Sequence, residues 1–157
     1  MTPLSRDPKC LPETLERLAN DPTSTVYTEV AKHPACPPSV LRSLSQRPNC
    51  IVQLAGNPNT PPDVIEHIMQ SGADRMVVAL VEQADIQDSQ QIEKHRADFD
   101  SVIARSIAHR PNCTQEQALW AVQHDHPQRL KFGQPAIESP QVPPYVVAMW
   151  QLAQDAR

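Results

Sequence analysis

Five times along this chain a proline opens the same short frame, and that frame constrains the fold more than any other feature. The copies read "PKCLPETLERLA" from Pro8, "PACPPSVLRSLS" from Pro34, "PNTPPDVIEHIM" from Pro58, "PNCTQEQALWAV" from Pro111 and "PQVPPYVVAMWQL" from Pro140. Their first prolines stand 26 (34 − 8), 24 (58 − 34), 53 (111 − 58) and 29 (140 − 111) residues apart. The long interval reads as one degenerate copy plus an insertion. A second element precedes most copies: "DPTSTVYTEVAKHP" from Asp21 matches "DFDSVIARSIAHRP" from Asp98. Looser forms are "RPNCIVQLAGNP" and "HPQRLKFGQPAIESP". Repetition at such a period is the mark of a tandem array.

Each copy carries its own helix signals. Proline is accepted in a first turn because those amides have no intrahelical partner. Thr60, Pro61 and Asp63 read as an N-cap, a proline at N1 and an acid at N3, and Glu13 and Glu116 hold the acid's place elsewhere. Apolar residues then recur at three-residue spacing, as Leu15 and Leu18, Leu41 and Leu44, Ile65 and Ile68. That is one stripe of a short helix. The following Asp-Pro, Arg-Pro or Asn-Pro stops it, because the residue before proline avoids the αR region. The linking elements, such as "TVYTEVA", are one to two turns long and can be α or 3₁₀. A unit of this size buries its stripe only against its neighbours. The expected fold is all-α: a solenoid of short stacked helices, alternating α and 3₁₀. It has about five to six repeats of roughly 24 residues in a single domain over residues 1–157.

Composition narrows the function. With 3 glycines the chain has no glycine-rich phosphate loop, and tight β-hairpin turns would want more of them. The net charge of −4 argues against a general affinity for nucleic acid or anionic membrane. No window approaches the ~20 apolar residues of a membrane span, and "MTPLSRDPKC" lacks the apolar core of a signal peptide. Cys10, Cys36, Cys50 and Cys113 are then expected as reduced thiols in a cytoplasm. Residues 84–97, "ADIQDSQQIEKHRA", fit no copy and read as an inserted loop or an exposed helix extension between repeats.

The unit "DP…V…VA.NP.TPP..L..L", best preserved in "VAKHPACPPSVLRSL" and "LAGNPNTPPDVIEHI", resembles the variant leucine-rich repeat family. The resemblance covers most of residues 7–70 and 98–152 and is diluted in "PNCTQEQALWAV". It implies alternating α and 3₁₀ helices in a superhelix without β-strands. Some members carry a Cys-rich iron–sulfur segment ahead of the repeats; this chain has no clustered cysteines, so that feature is not carried over.

Candidate site residues are few. Cys10, Cys36 and Cys113 share one repeat position with Thr60 and Val142, so the place asks for a small, half-buried residue; Cys50 answers Ser24 and reads the same way. His33, Asn57 and Arg110 share the place before a proline, a loop position tolerant of chemistry. "HDHP" contains His124, Asp125 and His126, but histidines two apart do not share a helix face, and no HExxH pattern follows. The expectation is no metal, no cofactor and no enzyme. Glu16, Arg42 and Glu66 alternate in sign along one row, which suits phosphate poorly. The favoured function is a non-catalytic scaffold that binds another protein. The alternative is a metal- or thiol-dependent protein using His124, His126 or a helix-cap cysteine. Trp120 stands with Arg17, Ser43 and His67, or one residue over with Glu16, Arg42 and Glu66; both rows are polar and should face solvent, so Trp120 either packs under the insertion or the C-terminal tail or anchors a partner. Trp120, Arg17, Arg42 and His67 are therefore the candidate partner-binding residues.

Overall fold

The computed structural model describes residues 11–127 and 133–156, and these are all-helical. The prolines and linkers resolve into α1 (Pro12–Ala19), α2 (Ser24–Lys32), α3 (Pro38–Leu44), α4 (Ile51–Gly56), α5 (Pro62–Ala84), α6 (Ser89–Ala108), α7 (Gln115–His124) and α8 (Pro144–Asp155). Short 3₁₀ segments lie at Pro48–Cys50 and Ala136–Glu138. Pro8 and Cys10 of the first copy fall outside the described residues. Strict alternation of α and 3₁₀ is not what forms, because the linking elements α2, α4 and α6 are α-helices. Among the described residues no helix is long and apolar enough to cross a membrane.

Helix starts differ from the expected capping by one residue. The N-caps of α3, α5 and α8 are the first prolines of the pairs, Pro37, Pro61 and Pro143, with Pro38, Pro62 and Pro144 at N1. A proline at both places removes two of the amides that would otherwise lack a partner. The Pro61 carbonyl then accepts from Val64 and Ile65 at 3.0 and 3.1 Å. Thr60 therefore caps nothing ahead of it; its hydroxyl donates backward to the Leu54 carbonyl at 2.7 Å, closing the end of α4. Asp63, now at N2, pairs with Arg42. The copy that lost its proline pair compensates. Thr114 and Gln117 of α7 form a reciprocal capping box, at 3.1 Å in both directions.

The stripes meet in one core. Leu15, Leu41, Leu44, Ile65 and Ile68 are buried together, with Leu18 packed at the margin. The linking helices contribute Val30, Ile51, Leu54, Ile103 and Ile107 to the same cluster. Each such side chain is worth roughly 1.5–3 kcal/mol on burial. Helices α2, α4 and α6 pack side by side in chain order, while α1 lies on α2, α5 on α4 and α7 on α6.

The 53-residue interval is filled by two long helices. No proline lies between Pro62 and Pro111, so nothing stops α5 at the repeat boundary, and it runs for 23 residues. Asp85, in the left-handed region at φ 53°, ends it. Asp88 then caps α6 by accepting from the Gln90 amide at 3.0 Å. The two helices pack as a hairpin tied by Arg96 and Asp74 at 2.8 Å. Residues 84–97 make its tip.

The turns before the prolines hold the copies together. Asn57 is buried, and its Nδ2 donates to the carbonyls of Ala31 at 2.7 Å and His33 at 3.0 Å in the preceding copy. Ser139, at the equivalent place, donates to the Ala108 carbonyl at 2.7 Å. Two residues on, Asn59 donates to the Pro34 carbonyl, and Asn112 to the Pro58 carbonyl at 2.8 Å. The same side chains fold their own turn: the Asn59 amide donates to Asn57 Oδ1 at 2.9 Å, and the Ala35 amide to His33 Nδ1 at 3.0 Å. His33 is thus a buried turn residue rather than a chemically tolerant loop position. Arg110 fits the ladder less well. Its Nε donates to Asn112 Oδ1 at 2.8 Å, but its Nη1 is buried without a hydrogen-bond partner.

Two substitutions should move stability in opposite directions. Asn57→Ala orphans the Ala31 carbonyl, while the His33 carbonyl keeps the Cys36 amide, and should cost about 1–3 kcal/mol. Arg110→Asn restores the side chain that works at position 57 and removes a buried orphan donor. It should stabilise by about 0.5–2 kcal/mol. Urea unfolding of both variants measures this; a destabilised Arg110→Asn would contradict the equivalence of the two turns.

Candidate functional site

Helix α7 differs from its counterparts in the volume of its inner stripe. Where α3 and α5 bury Leu41 with Leu44 and Ile65 with Ile68, α7 buries Ala118 and Ala121. Ala121 joins Ala104, Ala108 and Ala136 in an almost methyl-only cluster, which lets α7 approach α6 closely. Trp120 packs against the margins of both that cluster and the main core. It is half-buried, closer to the packing expectation than to the full exposure of its polar row. Its ring lies on His124, centroids 4.4 Å apart and 20° from parallel. His124 Nδ1 is 2.8 Å from the Trp120 carbonyl. A carbonyl only accepts, so Nδ1 carries a proton and the ring is fixed in orientation.

Trp120 borders two concavities. One is a polar pocket of about 120 Å³ between α5, α6 and α7, lined by Gly72, Asp74, Arg96, Asp100, Ile103 and His124 among others. Gly72 makes this meeting possible, because a Cβ there would lie 3.1 Å from methyls of both Ile103 and Ile68. Asp74 is already neutralised by Arg96. Burial pushes the Asp100 carboxyl above the usual carboxylate range, against the pull of His124, Arg96 and His126. The pocket is smaller than the several hundred Å³ typical of organic-ligand sites. The other concavity is a groove of about 540 Å³ between α5 and α7, lined by Pro62, Glu66, Met69 and Gln70 on one side and Thr114, Glu116, Gln117 and Trp120 on the other.

Within "HDHP" Asp125 turns away from the two histidines, which both face Asp100. Asp125 is buried and accepts from Arg105 Nε at 2.9 Å through Oδ1 and from the Ala136 amide at 2.9 Å through Oδ2. It joins α6, the end of α7 and the Ala136–Glu138 turn. The His126 amide donates to Ser101 Oγ at 2.7 Å. Among the described residues no three His, Cys, Asp or Glu side chains are grouped to hold a metal ion.

The cysteines are more deeply buried than their expected half-exposed place. Cys36, Cys50 and Cys113 are all in the interior as free thiols, together with Thr60 and Val142, whereas Ser24, the counterpart of Cys50, is exposed. Burial pushes the Cys36 thiol to about 12 and the Cys50 thiol to about 11, and raises Cys113 despite nearby Arg110. At neutral pH these groups are protonated and weakly nucleophilic.

The other candidates lie on the outer rows. Arg17 and His67 are exposed. Arg42 is exposed as well, but its guanidinium is engaged by Asp63 of the next copy at 3.0 Å. Aligned on the first proline, the outer positions read Glu13, Ser39, Asp63, Glu116, Tyr145; Arg17, Ser43, His67, Trp120, Met149; and Asn20, Gln46, Gln70, Gln123, Leu152. All are exposed except Trp120. The sequence reading overlooked two features here. Tyr145, Met149 and Leu152 give α8 an apolar outer face, a break legible from the polar rows it ends. Glu66 and Glu116 face one groove across the long interval, and no local signal announces that. Comparison of the chain with models of known families, with curated proteins and with solved structures finds no match.

Two expectations follow for stability. Asp125→Ala leaves Arg105 buried without its carboxylate and should cost about 3–5 kcal/mol by chemical denaturation. Asp100 has the opposite sign. Its raised pKa means that the folded state holds the proton more tightly than the unfolded chain. Ionised Asp100 therefore destabilises the fold at neutral pH, and this is relieved as pH falls through its raised pKa. Asp100→Asn should raise the melting temperature at pH 7 and lose that advantage in acid, where Asp100 is protonated in the folded and unfolded states alike; a constant difference across pH would refute the assignment.

Proposed function

We propose that this chain is a variant leucine-rich repeat solenoid, a single repeat domain that acts in the cytoplasm as a non-catalytic scaffold and holds another protein on its outer helix rows. Support for the solenoid comes from the turn bonds, which run from each donor to the preceding copy at equivalent positions: Asn57 to Ala31, Ser139 to Ala108, Asn59 to Pro34 and Asn112 to Pro58. Repeats joined this way bury their inner stripes and present their outer rows as one extended surface.

The observation that carries the binding reading is the groove at Trp120. Here an aromatic enters an outer row that is polar in the three earlier copies, beside deformable Met69 and with open volume next to it. Aromatic anchors in partly enclosed sites dominate many interfaces. Arg17 and His67 extend the same row, while Arg42 contributes less because Asp63 holds it. Buried, protonated thiols and an Asp125 carboxylate already taken by Arg105 and the Ala136 amide speak against the metal- or thiol-dependent alternative. Neither nucleic acid, membrane nor cofactor belongs to this reading.

A photo-crosslinking residue placed at His67 should capture a partner from an extract of the source cells, and the same residue at exposed Thr25 on α2 should not. Trp120→Ala should weaken that capture on the order of thirtyfold, equivalent to about 2 kcal/mol. Because Trp120 is half-buried, the variant should also lose about 1–3 kcal/mol of stability, so capture is measured well below its melting temperature. Equal labelling from both positions would sink the proposal.

A further inference from the structure

We propose that the groove between α5 and α7 takes a peptide segment in which an aliphatic side chain is flanked by lysine or arginine; this rests on reading the outer rows as an interaction face. The groove's floor is apolar at Met69 and Trp120, and its volume of about 540 Å³ accommodates more than one side chain. Its charge has one sign. Glu66 comes from α5 and Glu116 from α7, both exposed, and among the described residues no basic side chain lines the groove. Neither carboxylate has an ion-pair partner among the described residues, whereas nearby Asp63 is already answered by Arg42.

Two carboxylates on one groove, from helices some fifty residues apart in sequence, give it a negative potential, and a cationic side chain is complementary to it. The amide side chains of Gln70 and Gln117 can bond either to a peptide backbone or to a cationic head, so they favour no anion. An acidic segment would meet this groove and the chain's net charge of −4 with the same sign. A purely apolar segment would bury the floor but leave both carboxylates partly desolvated and unanswered.

The test uses the full chain carrying Trp150→Phe, which leaves Trp120 as its single tryptophan. Three short peptides share a leucine core and differ only in flanks of lysine, glutamine or glutamate. The expected result is a saturable change in Trp120 emission with the lysine-flanked peptide, weakening with added salt. Calorimetry on the unsubstituted chain should report the same order of preference. The pair Glu66→Lys and Glu116→Lys, both exposed, should weaken the lysine-flanked peptide at least about tenfold and let the glutamate-flanked one bind. Equal or tighter binding of the glutamine- or glutamate-flanked peptide to the unsubstituted groove would overturn the charge assignment while leaving the groove a binding surface. No response to any peptide, in either fluorescence or calorimetry, would overturn the proposed occupant. The interaction reading is decided separately by crosslinking from position 67.

Discussion

A residue that precedes proline cannot stay in the helix, and the helix behind it is left with carbonyls that no later amide can reach. In this chain two such carbonyls, of Ala31 and Ala108, face the next copy rather than water, and a side chain of that copy donates to each. Leaving one of them buried without a donor would cost about 1–3 kcal/mol. The stacking register therefore depends on the proline turns, and the apolar stripes follow. Only when Asn57 reaches Ala31 do Leu41 and Ile65 lie in one core. The position tolerates Asn and Ser because both donate over a short reach. Arg110 reaches past the carbonyls, which is why one of its donors is left without a partner.

The same arrangement decides where a binding surface can be. Turns and inner stripes are consumed by neighbour contacts, and the outer rows of the post-proline helices are what remains. Helix α7 breaks the pattern through size rather than polarity. Its alanine stripe draws it toward α6, and Trp120 then fills space that leucine fills elsewhere. The tryptophan is at once a packing residue and a wall of the groove, so a substitution there changes both the core margin and the groove.

Charge is used in two ways. Arg105 and Asp125 are buried and satisfied further by the Ala136 amide, which makes them a fastening between α6, α7 and the following turn. Such a pair specifies geometry more than it adds stability, since desolvation offsets most of its attraction. The exposed pairs, Arg42 with Asp63 and Arg96 with Asp74, are worth little each but mark which carboxylates are already answered. Glu66 and Glu116 stand out against that background.

Much of the fold is written locally. Proline pairs, three-residue apolar spacing and the 24-residue shift are short-range signals, and they suffice to place helix starts and the core residues Leu15, Leu41, Leu44, Ile65 and Ile68. The cap register was off by one at Thr60 because a second proline can itself serve as N-cap, a choice that sequence spacing does not separate. The length of α5 and α6 was legible in principle from the missing prolines between Pro62 and Pro111, but polarity over 84–97 masked it. What only the tertiary structure decided depends on distance. Asn57 looks like any loop asparagine until the preceding copy's carbonyls are beside it. Asp125 looks like part of a ligand cluster until Arg105, 20 residues earlier, turns it inward. Trp120 looks exposed until the small side chains of a neighbouring helix open a place for it. In each case the sequence alone determined the residue's local conformation, while its partner came from another element, because hydrogen bonds and packing volumes are settled by what packing brings within a few ångströms.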